Sequence, residues 1–216
     1  MPPSSGPRWA MRCLTMTAVN TTTATEMQRD YIKEFSHALG REMEVLHFGH
    51  AGRPLLAFPT SMGRFYQWED FGLVGGLSDF IESGAIQLIC VDSIDGESWY
   101  ARDRPPAERI LRHLQYESYI VDELLPRMPG PPLACGASFG ALHEFLPGLN
   151  DEAYLGPLRE QHPKVIATGD QDPNVEDSRR LGALLREKGV EIGLDIWPGW
   201  AHDWPYWKDM MRRYLS

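Results

Sequence analysis

The chain has 216 residues, of which 43% are hydrophobic and 24% are charged, and its formal net charge is −9. This length and composition suit one soluble globular domain, and no apolar run approaches the roughly 20 residues that span a bilayer. Without such a run, a membrane is not an expected partner. An acidic surface repels phosphate backbones, so nucleic acid is not expected either.

The number and spacing of the cysteines indicate the redox environment of the protein and whether it has a cysteine metal site. The three cysteines, Cys13, Cys90 and Cys135, are far apart in the sequence and show no metal-ligand spacing. An odd, unclustered set argues against a disulfide framework and is typical of the reducing cytosol. We therefore expect a cytoplasmic protein with no metal site.

The first 26 residues differ in composition from the rest. They contain the run Thr21–Thr23 and no acidic residue before Glu26, and they lack the continuous apolar stretch of a secretory signal. We expect residues 1–26 to be a disordered leader or to precede a true start at Met27, and we favour the later start. Residues 27–216 are then the folded domain.

From residue 27 onward, short apolar runs alternate with helical patterns. Seven runs predict strands, at residues 31–35, 43–48, 54–58, 86–91, 132–135, 165–168 and 194–197. Helices are predicted at residues 71–83, from 105 onward, at 151–161, at 174–188 and at 204–214. Strand–helix alternation at this spacing predicts a three-layer α/β sandwich with a mostly parallel central sheet.

The central chemical signal is the segment Gly136-Ala137-Ser138-Phe139-Gly140, which directly follows a predicted strand. It has the G-x-S-x-G form of a nucleophile elbow, a strand-to-helix turn so tight that the serine takes a strained backbone. The alternative is an ordinary glycine-rich turn, which the preceding strand disfavours. Ser138 is therefore the expected nucleophile of a serine hydrolase.

A serine hydroxyl needs an imidazole to accept its proton and a carboxylate to orient that imidazole. Three histidines follow Ser138. His143 is too close to the elbow to curl back easily, and His162 precedes a strand at the wrong edge of the sheet. His202 lies in the loop between the last strand and the last helix, where the base of such an enzyme belongs. We expect His202 to be the base, although a loop histidine without the elbow would be taken for a surface residue.

The carboxylate is expected at the end of the strand before, where the sequence offers Asp170 and Asp172. Asp172 is favoured because it lies past a glycine turn and can reach back across the strand ends. Asp170 suits a role in shaping the turn. Asp195 and Asp203 are weaker alternatives, the first within a strand and the second at the start of a helix.

Acyl transfer also needs two donors for the oxyanion. One is the backbone N–H of Phe139, and the other is expected from the loop after the third strand, at Ser61 or Met62, with Ser61 slightly preferred. Nearby aromatic residues would either wall a substrate pocket or simply pack helices against the sheet. They are Phe65, Tyr66, Trp68, Trp99, Tyr100, Trp200, Trp204, Tyr206 and Trp207.

Several separated motifs resemble the bacterial esterase family that is related to esterase-D-like and mycolyltransferase-like α/β-hydrolases. The resemblance covers about residues 27–216 and rests on three motifs: Phe58-Pro59-Thr60-Ser61 with Gly63-Arg64-Phe65, Val91-Asp92-Ser93 with Glu97-Ser98-Trp99-Tyr100, and His202-Asp203-Trp204-Pro205. It implies an α/β-hydrolase-like fold and a carboxylesterase without a cofactor. By motif position it implies Ser138, Asp172 and His202 as the triad.

The chain departs from the family pattern after the elbow. Asp172 follows Ser138 by only 34 positions, and the helix-like stretch at 151–161 occupies some of them. We therefore expect a strand and much of a helix to be lost there. The strand at 165–168 is expected to move beside the strand at 133–135, because a gap would leave buried backbone groups unpaired at about 1–3 kcal/mol each.

The sequence thus predicts a serine carboxylesterase that acts on small or medium acyl esters through an acyl-enzyme, with a small-molecule ester as its partner. The alternative is a catalytically impaired or inactive α/β-hydrolase-like binding protein, which the shortened segment favours. The sequence leaves the oligomeric state open, so a homo-oligomer is allowed.

Overall fold

The computed structural model describes residues 27–144, 152–160 and 164–216. The predicted leader and His162 lie outside this range, as do both ends of the predicted helix at 151–161. The strands are β1 Arg29–Ser36, β2 Arg41–Phe48, β3 Arg53–Phe58, β4 Ile86–Val91, β5 Leu133–Gly136, β6 Val165–Gly169 and β7 Gly193–Trp197. The α-helices are α1 Gln67–Asp70, α2 Leu73–Gly76, α3 Ser78–Glu82, α4 Pro106–Ser118, α5 Glu152–Glu160, α6 Val175–Glu187 and α7 Trp204–Leu215.

A five-stranded mixed sheet forms the larger part of the core. Its order is β1-β2-β4-β3-β5, with β2 antiparallel to both β1 and β4, and β3 parallel to both β4 and β5. The α/β class is confirmed, but the first hairpin makes the sheet mixed rather than mostly parallel. All six residues of β4 are buried. A strand covered on both faces has no polar side, which explains why β4 is apolar except for Gln87. The buried side chain of Gln87 is hydrogen-bonded to His47 and to the carbonyl of Gly52.

Helices cover both faces of this sheet. One face packs against α4 and the turns that follow it, through residues such as Tyr116, Tyr119 and Ile120. The other face packs against the short helices α1 to α3, with Trp68 at its centre, and against α7. No helix within the described ranges is long and apolar enough to cross a membrane.

The last two strands form a separate parallel sheet. Within the described residues, β6 pairs only with β7 and β5 pairs only with β3. The expectation that residues 165–168 would move beside residues 133–135 is therefore wrong. Ala134 is exposed and the other residues of β5 are only partly buried. Water can therefore satisfy the outer backbone groups of this strand, and the cost on which the expectation rested does not arise.

Helix α7 joins the two sheets. Its first residue, Trp204, stacks on Phe71 beside the larger sheet, with ring centroids 4.7 Å apart. Near its other end, the hydroxyl of Tyr214 donates to Asp195 of β7 at 2.7 Å and accepts from Nε1 of Trp197 at 3.2 Å. Burial and the bond to Asp195 raise the pKa of Tyr214 to about 12, so the hydroxyl keeps its proton and acts as a donor.

The helical segments differ from the sequence prediction at residues 71–83. The single helix expected there is divided into α2 and α3, because Leu77 between them, with φ −111° and ψ 9°, interrupts the helical backbone. The segment directly after the elbow, Ser138–Glu144, is a 3₁₀ helix.

Candidate active site

The glycine-flanked serine lies in a tight turn at the end of β5. Ser138 has a φ of 56°, in the left-handed region that residues with side chains rarely adopt. A Cβ at Gly136 would lie 2.3 Å from the carbonyl carbon of Gly140, and a Cβ at Gly140 would lie 2.4 Å from the carbonyl oxygen of Pro59. Both glycines are therefore required, the second because the turn packs against the loop after β3.

The structure brings His202 between Ser138 and Asp172. Its Nε2 lies 2.9 Å from Oγ of Ser138, and its Nδ1 lies 2.8 Å from Oδ2 of Asp172. The side chain of Asp172 is 6% exposed, whereas that of His202 is 28% exposed. The three groups form one hydrogen-bonded chain that runs from a buried carboxylate to the hydroxyl of a partly buried serine.

The two aspartates after β6 have different partners. Oδ1 of Asp172 accepts the backbone N–H of Asn174 at 2.8 Å, which leaves Oδ2 directed at His202. Asp170 instead accepts the N–H of Gly199 at 2.7 Å and donates its own N–H to the carbonyl of Trp197 at 3.0 Å. Asp170 thus ties its turn to the loop that leads to His202, and Asp172 meets the imidazole.

The two lower-ranked aspartates have structural partners. Asp195 accepts the hydroxyl of Tyr214, and Asp203 accepts the N–H of Trp204 at 2.7 Å as the N-cap of α7. These two carboxylates therefore serve other contacts than the hydrogen-bonded chain of Ser138. His143 lies in the 3₁₀ segment directly after the elbow.

Gly169 is a site residue that the sequence reasoning did not single out. A Cβ there would lie 1.8 Å from the carbonyl oxygen of Trp200, and the N–H of Gln171 donates to that same oxygen at 2.9 Å. The loop before His202 therefore lies directly on the end of β6. A glycine between a predicted strand and two aspartates was the available signal for this close approach.

The loop after β3 carries the two backbone N–H groups, of Ser61 and Met62, that the sequence offered for the second oxyanion donor. Met62, with a φ of 57°, donates its N–H to Oδ2 of Asp95 at 2.9 Å. The N–H of Ser61 makes no hydrogen bond to the described residues. Of the two candidates for the second oxyanion donor, Ser61 is therefore the one that can still donate to a ligand.

Residues after β4 hold this loop from behind. Oδ1 of Asp92 accepts from Nε of Arg64 at 2.7 Å and from the N–H of Phe65 at 3.2 Å, and the hydroxyl of Ser93 donates to the carbonyl of Gly63 at 2.8 Å. Burial raises the pKa of the Asp92 carboxyl, while the Arg64 guanidinium opposes that shift. The loop is anchored at several consecutive residues, which favours a fixed backbone.

The aromatic residues divide between the site and the core. The ring of Phe139 meets Trp99 and Tyr100 edge-on at 6.4 and 5.7 Å, and Trp207 meets the ring of His202 edge-on at 4.8 Å. Trp68, by contrast, is 1% exposed and belongs to the core. Packing in the core therefore accounts for Trp68, whereas Trp99, Tyr100 and Trp207 lie beside Phe139 and His202.

Neither a protein-family model nor a curated protein sequence matches this chain. Among solved structures, a ferulic acid esterase superposes with a TM-score of 0.64 and 14% identity, over 88% of this chain and 96% of the other. An S-formylglutathione hydrolase from Agrobacterium tumefaciens superposes with a TM-score of 0.63 and 15% identity, over 93% of this chain and 97% of the other. The fluorophosphonate-binding serine hydrolase F of Staphylococcus aureus superposes with a TM-score of 0.61 and 12% identity, over 88% of this chain and 97% of the other. Such identities show the fold alone, which is α/β-hydrolase-like and is the fold of these esterases and serine hydrolases.

Proposed function

We propose that the chain is a serine carboxylesterase, with Ser138 as nucleophile, His202 as general base and Asp172 as the carboxylate that orients the imidazole. The observation that carries the proposal is the continuous chain of hydrogen bonds, at 2.9 Å and 2.8 Å, through the two ring nitrogens of His202. These lengths lie within the reach required for proton transfer from a nucleophile.

Acylation begins when Oγ of Ser138 attacks the ester carbonyl and its proton passes to Nε2 of His202. The proton on Nδ1 stays hydrogen-bonded to Asp172, whose carboxylate stabilises the imidazolium that forms. The carbonyl oxygen becomes an oxyanion, which accepts the N–H groups of Phe139 and Ser61. When the tetrahedral intermediate collapses, the bond to the alcohol oxygen breaks and Nε2 returns the proton to that oxygen.

Deacylation repeats these steps with water. His202, neutral again, takes a proton from a water molecule as its oxygen attacks the acyl carbonyl on Ser138. The second oxyanion uses the same two N–H groups. Its collapse releases the carboxylic acid, and Oγ of Ser138 recovers its proton from Nε2. The balance is one ester and one water consumed, with one acid and one alcohol formed.

The proposed substrates are esters of small or medium apolar acyl groups. The support for this is that the rings of Trp99 and Tyr100 lie beside Phe139, the residue after the nucleophile, and the ring of Trp207 lies beside His202, so apolar surface is available near the triad. The names of the structural neighbours, a ferulic acid esterase and an S-formylglutathione hydrolase, support ester or thioester cleavage in the same fold.

The test is turnover of p-nitrophenyl acetate and p-nitrophenyl butyrate by the purified chain and by Ser138→Ala. We expect the variant to lose at least about 10⁴-fold in kcat, because one missing triad member removes nearly all of the rate enhancement. Ser83→Ala is the matched control, since Ser83 is an exposed serine that ends α3. It should keep wild-type turnover. No turnover by wild type, or activity of Ser138→Ala within about tenfold of it, would favour a binding protein or another nucleophile.

A further inference from the structure

Asp95 is a buried carboxylate that contacts the loop of the proposed oxyanion site. It is 1% exposed, and its Oδ2 accepts the backbone N–H of Met62 at 2.9 Å. Met62 is one of only two described non-glycine residues with a positive φ, and Ser138 is the other. The hydrogen bond therefore holds a backbone conformation that is costly in isolation.

This hydrogen bond fixes the peptide plane between Ser61 and Met62. Because a peptide unit is planar, directing the N–H of Met62 at Asp95 also turns the carbonyl of Ser61 to the opposite side. A flip of that peptide would present the carbonyl oxygen to the carboxylate, which is electrostatically unfavourable. The carboxylate thus selects one orientation of the loop, in which the N–H of Ser61 is the donor left to bind a ligand.

The turn that carries Asp95 also reaches the other proposed donor. The carbonyl of Asp95 accepts the N–H of Tyr100 at 2.9 Å, and the ring of Tyr100 packs edge-on against Phe139. At the next residue, a Cβ on Gly96 would lie 3.3 Å from Cε of Met62, so this turn also packs against the Met62 side chain. One short turn therefore contacts the surroundings of both N–H groups.

We infer that Asp95 is a positioning residue of the oxyanion site, which fixes the loop so that the N–H of Ser61 is preorganised for the developing charge. This inference rests on the proposed esterase function. Preorganised donors stabilise the transition state more than the bound ester, so their loss lowers kcat with little change in KM. A residue that served stability alone would lower the folded fraction and leave kcat per active site unchanged.

The experiment compares Asp95→Ala and Asp95→Asn with wild type, using p-nitrophenyl butyrate and active sites titrated from the burst of p-nitrophenol. Asp95→Ala should lose about 10²-fold in kcat per titrated site, the size of a lost oxyanion donor, with KM within threefold. Asp95→Asn keeps an acceptor oxygen and should retain kcat within about tenfold. Asp103→Asn, which removes an exposed carboxylate outside this turn, is the control and should behave as wild type.

A second readout is inhibition by a trifluoromethyl ketone, whose adduct with Ser138 places an oxyanion in the same site. Its inhibition constant should rise in Asp95→Ala in proportion to the fall in kcat/KM. Asp95→Ser replaces Asp95→Ala if the latter fails to fold, with the same expectation, because the serine side chain is too short to reach Met62. An Asp95→Ala or Asp95→Ser kcat within threefold of wild type would overturn the inference, as would equal losses in Asp95→Asn. If wild type is active and Ser138→Ala is not, these outcomes leave the esterase proposal intact.

Discussion

His202 lies 2.9 Å from the hydroxyl of Ser138, although in the described residues no strand pairing joins the sheet that ends at Ser138 to the sheet that precedes His202. Closing the two sheets would shift one relative to the other by about one strand spacing, roughly 4.8 Å. A hydrogen bond does not survive such a shift. The hydrogen bond between His202 and Ser138 therefore fits two sheets that stay separate. Helix α7 and the loops connect these sheets.

The first prediction concerns the connection through α7. Tyr214→Phe removes the hydroxyl that bonds both Asp195 and Trp197. We expect the free energy of unfolding to fall by about 1 kcal/mol, since each partner loses a hydrogen bond that water only partly replaces. Urea unfolding measures the change. Tyr31→Phe, which removes an exposed bond to Glu44, is the matched control and should cost less. An equal cost in the two variants would argue against a special role of Tyr214.

The second prediction separates the two aspartates after β6. Asp172→Asn should lower kcat by about 10⁴-fold, because an amide cannot hold the imidazole in the tautomer that leaves Nε2 free to accept a proton. Asp170→Asn should lower it far less, since Asp170 bonds the N–H of Gly199 rather than the imidazole. Steady-state kinetics on p-nitrophenyl acetate decide the matter. Similar losses, or the reverse order, would contradict the assignment.

The third prediction uses the close approach at Gly169. Gly169→Ala places a methyl group 1.8 Å from the carbonyl oxygen of Trp200, so the loop that carries His202 must move. We expect a loss of at least tenfold in kcat, because displacement of a catalytic group by about 1 Å costs on the order of 10²-fold. Gly75→Ala, where nothing lies within 4 Å, is the control and should keep full activity. Unchanged turnover in Gly169→Ala would show that the loop position does not matter.

The fourth prediction concerns stability and pH. Burial lowers the pKa of His47 below its ordinary value of 6.5, although Gln87 and Asp30 oppose the shift. As pH falls below about 6.5, the unfolded chain takes up a proton at His47 before the folded chain does, so this contribution to stability is lost toward acid. His47→Gln should flatten the fall in unfolding free energy between pH 7 and pH 5. Urea titrations at three pH values test this, and parallel slopes in the two proteins would refute it.

Local patterns in the sequence predicted much of the structure. The strand predicted at 86–91 matches the bounds of β4, because a short and mostly apolar run between a glycine turn and Asp92 is typical of a buried strand. The elbow motif, the order of serine, acid and histidine and the loop positions favoured Ser138, Asp172 and His202, with Asp170 as an alternative acid; the structure brings the first three within hydrogen-bond distance of one another. These inferences needed only neighbours in sequence and a known order of elements.

Non-local features were not predictable. The pairing of β6 depends on whether the edge of β5 can be solvated, and the exposure of Ala134 decides that. The expected pairing of residues 165–168 beside residues 133–135 assumed that unpaired backbone groups at this edge would be buried. Asp95 was missed because a carboxylate that accepts a distant backbone N–H, here that of Met62, leaves no pattern in the sequence.

The most direct test of the esterase proposal is to locate the adduct of a fluorophosphonate probe by peptide mass spectrometry. The probe requires a serine activated by a base beside an oxyanion site, so it reports on the assembled chemistry without knowledge of the physiological ester. We predict one adduct per chain, on Ser138, with labelling slowed by at least 10²-fold in His202→Ala. No adduct under conditions that label a known serine esterase, or an adduct on another residue, would contradict the proposal.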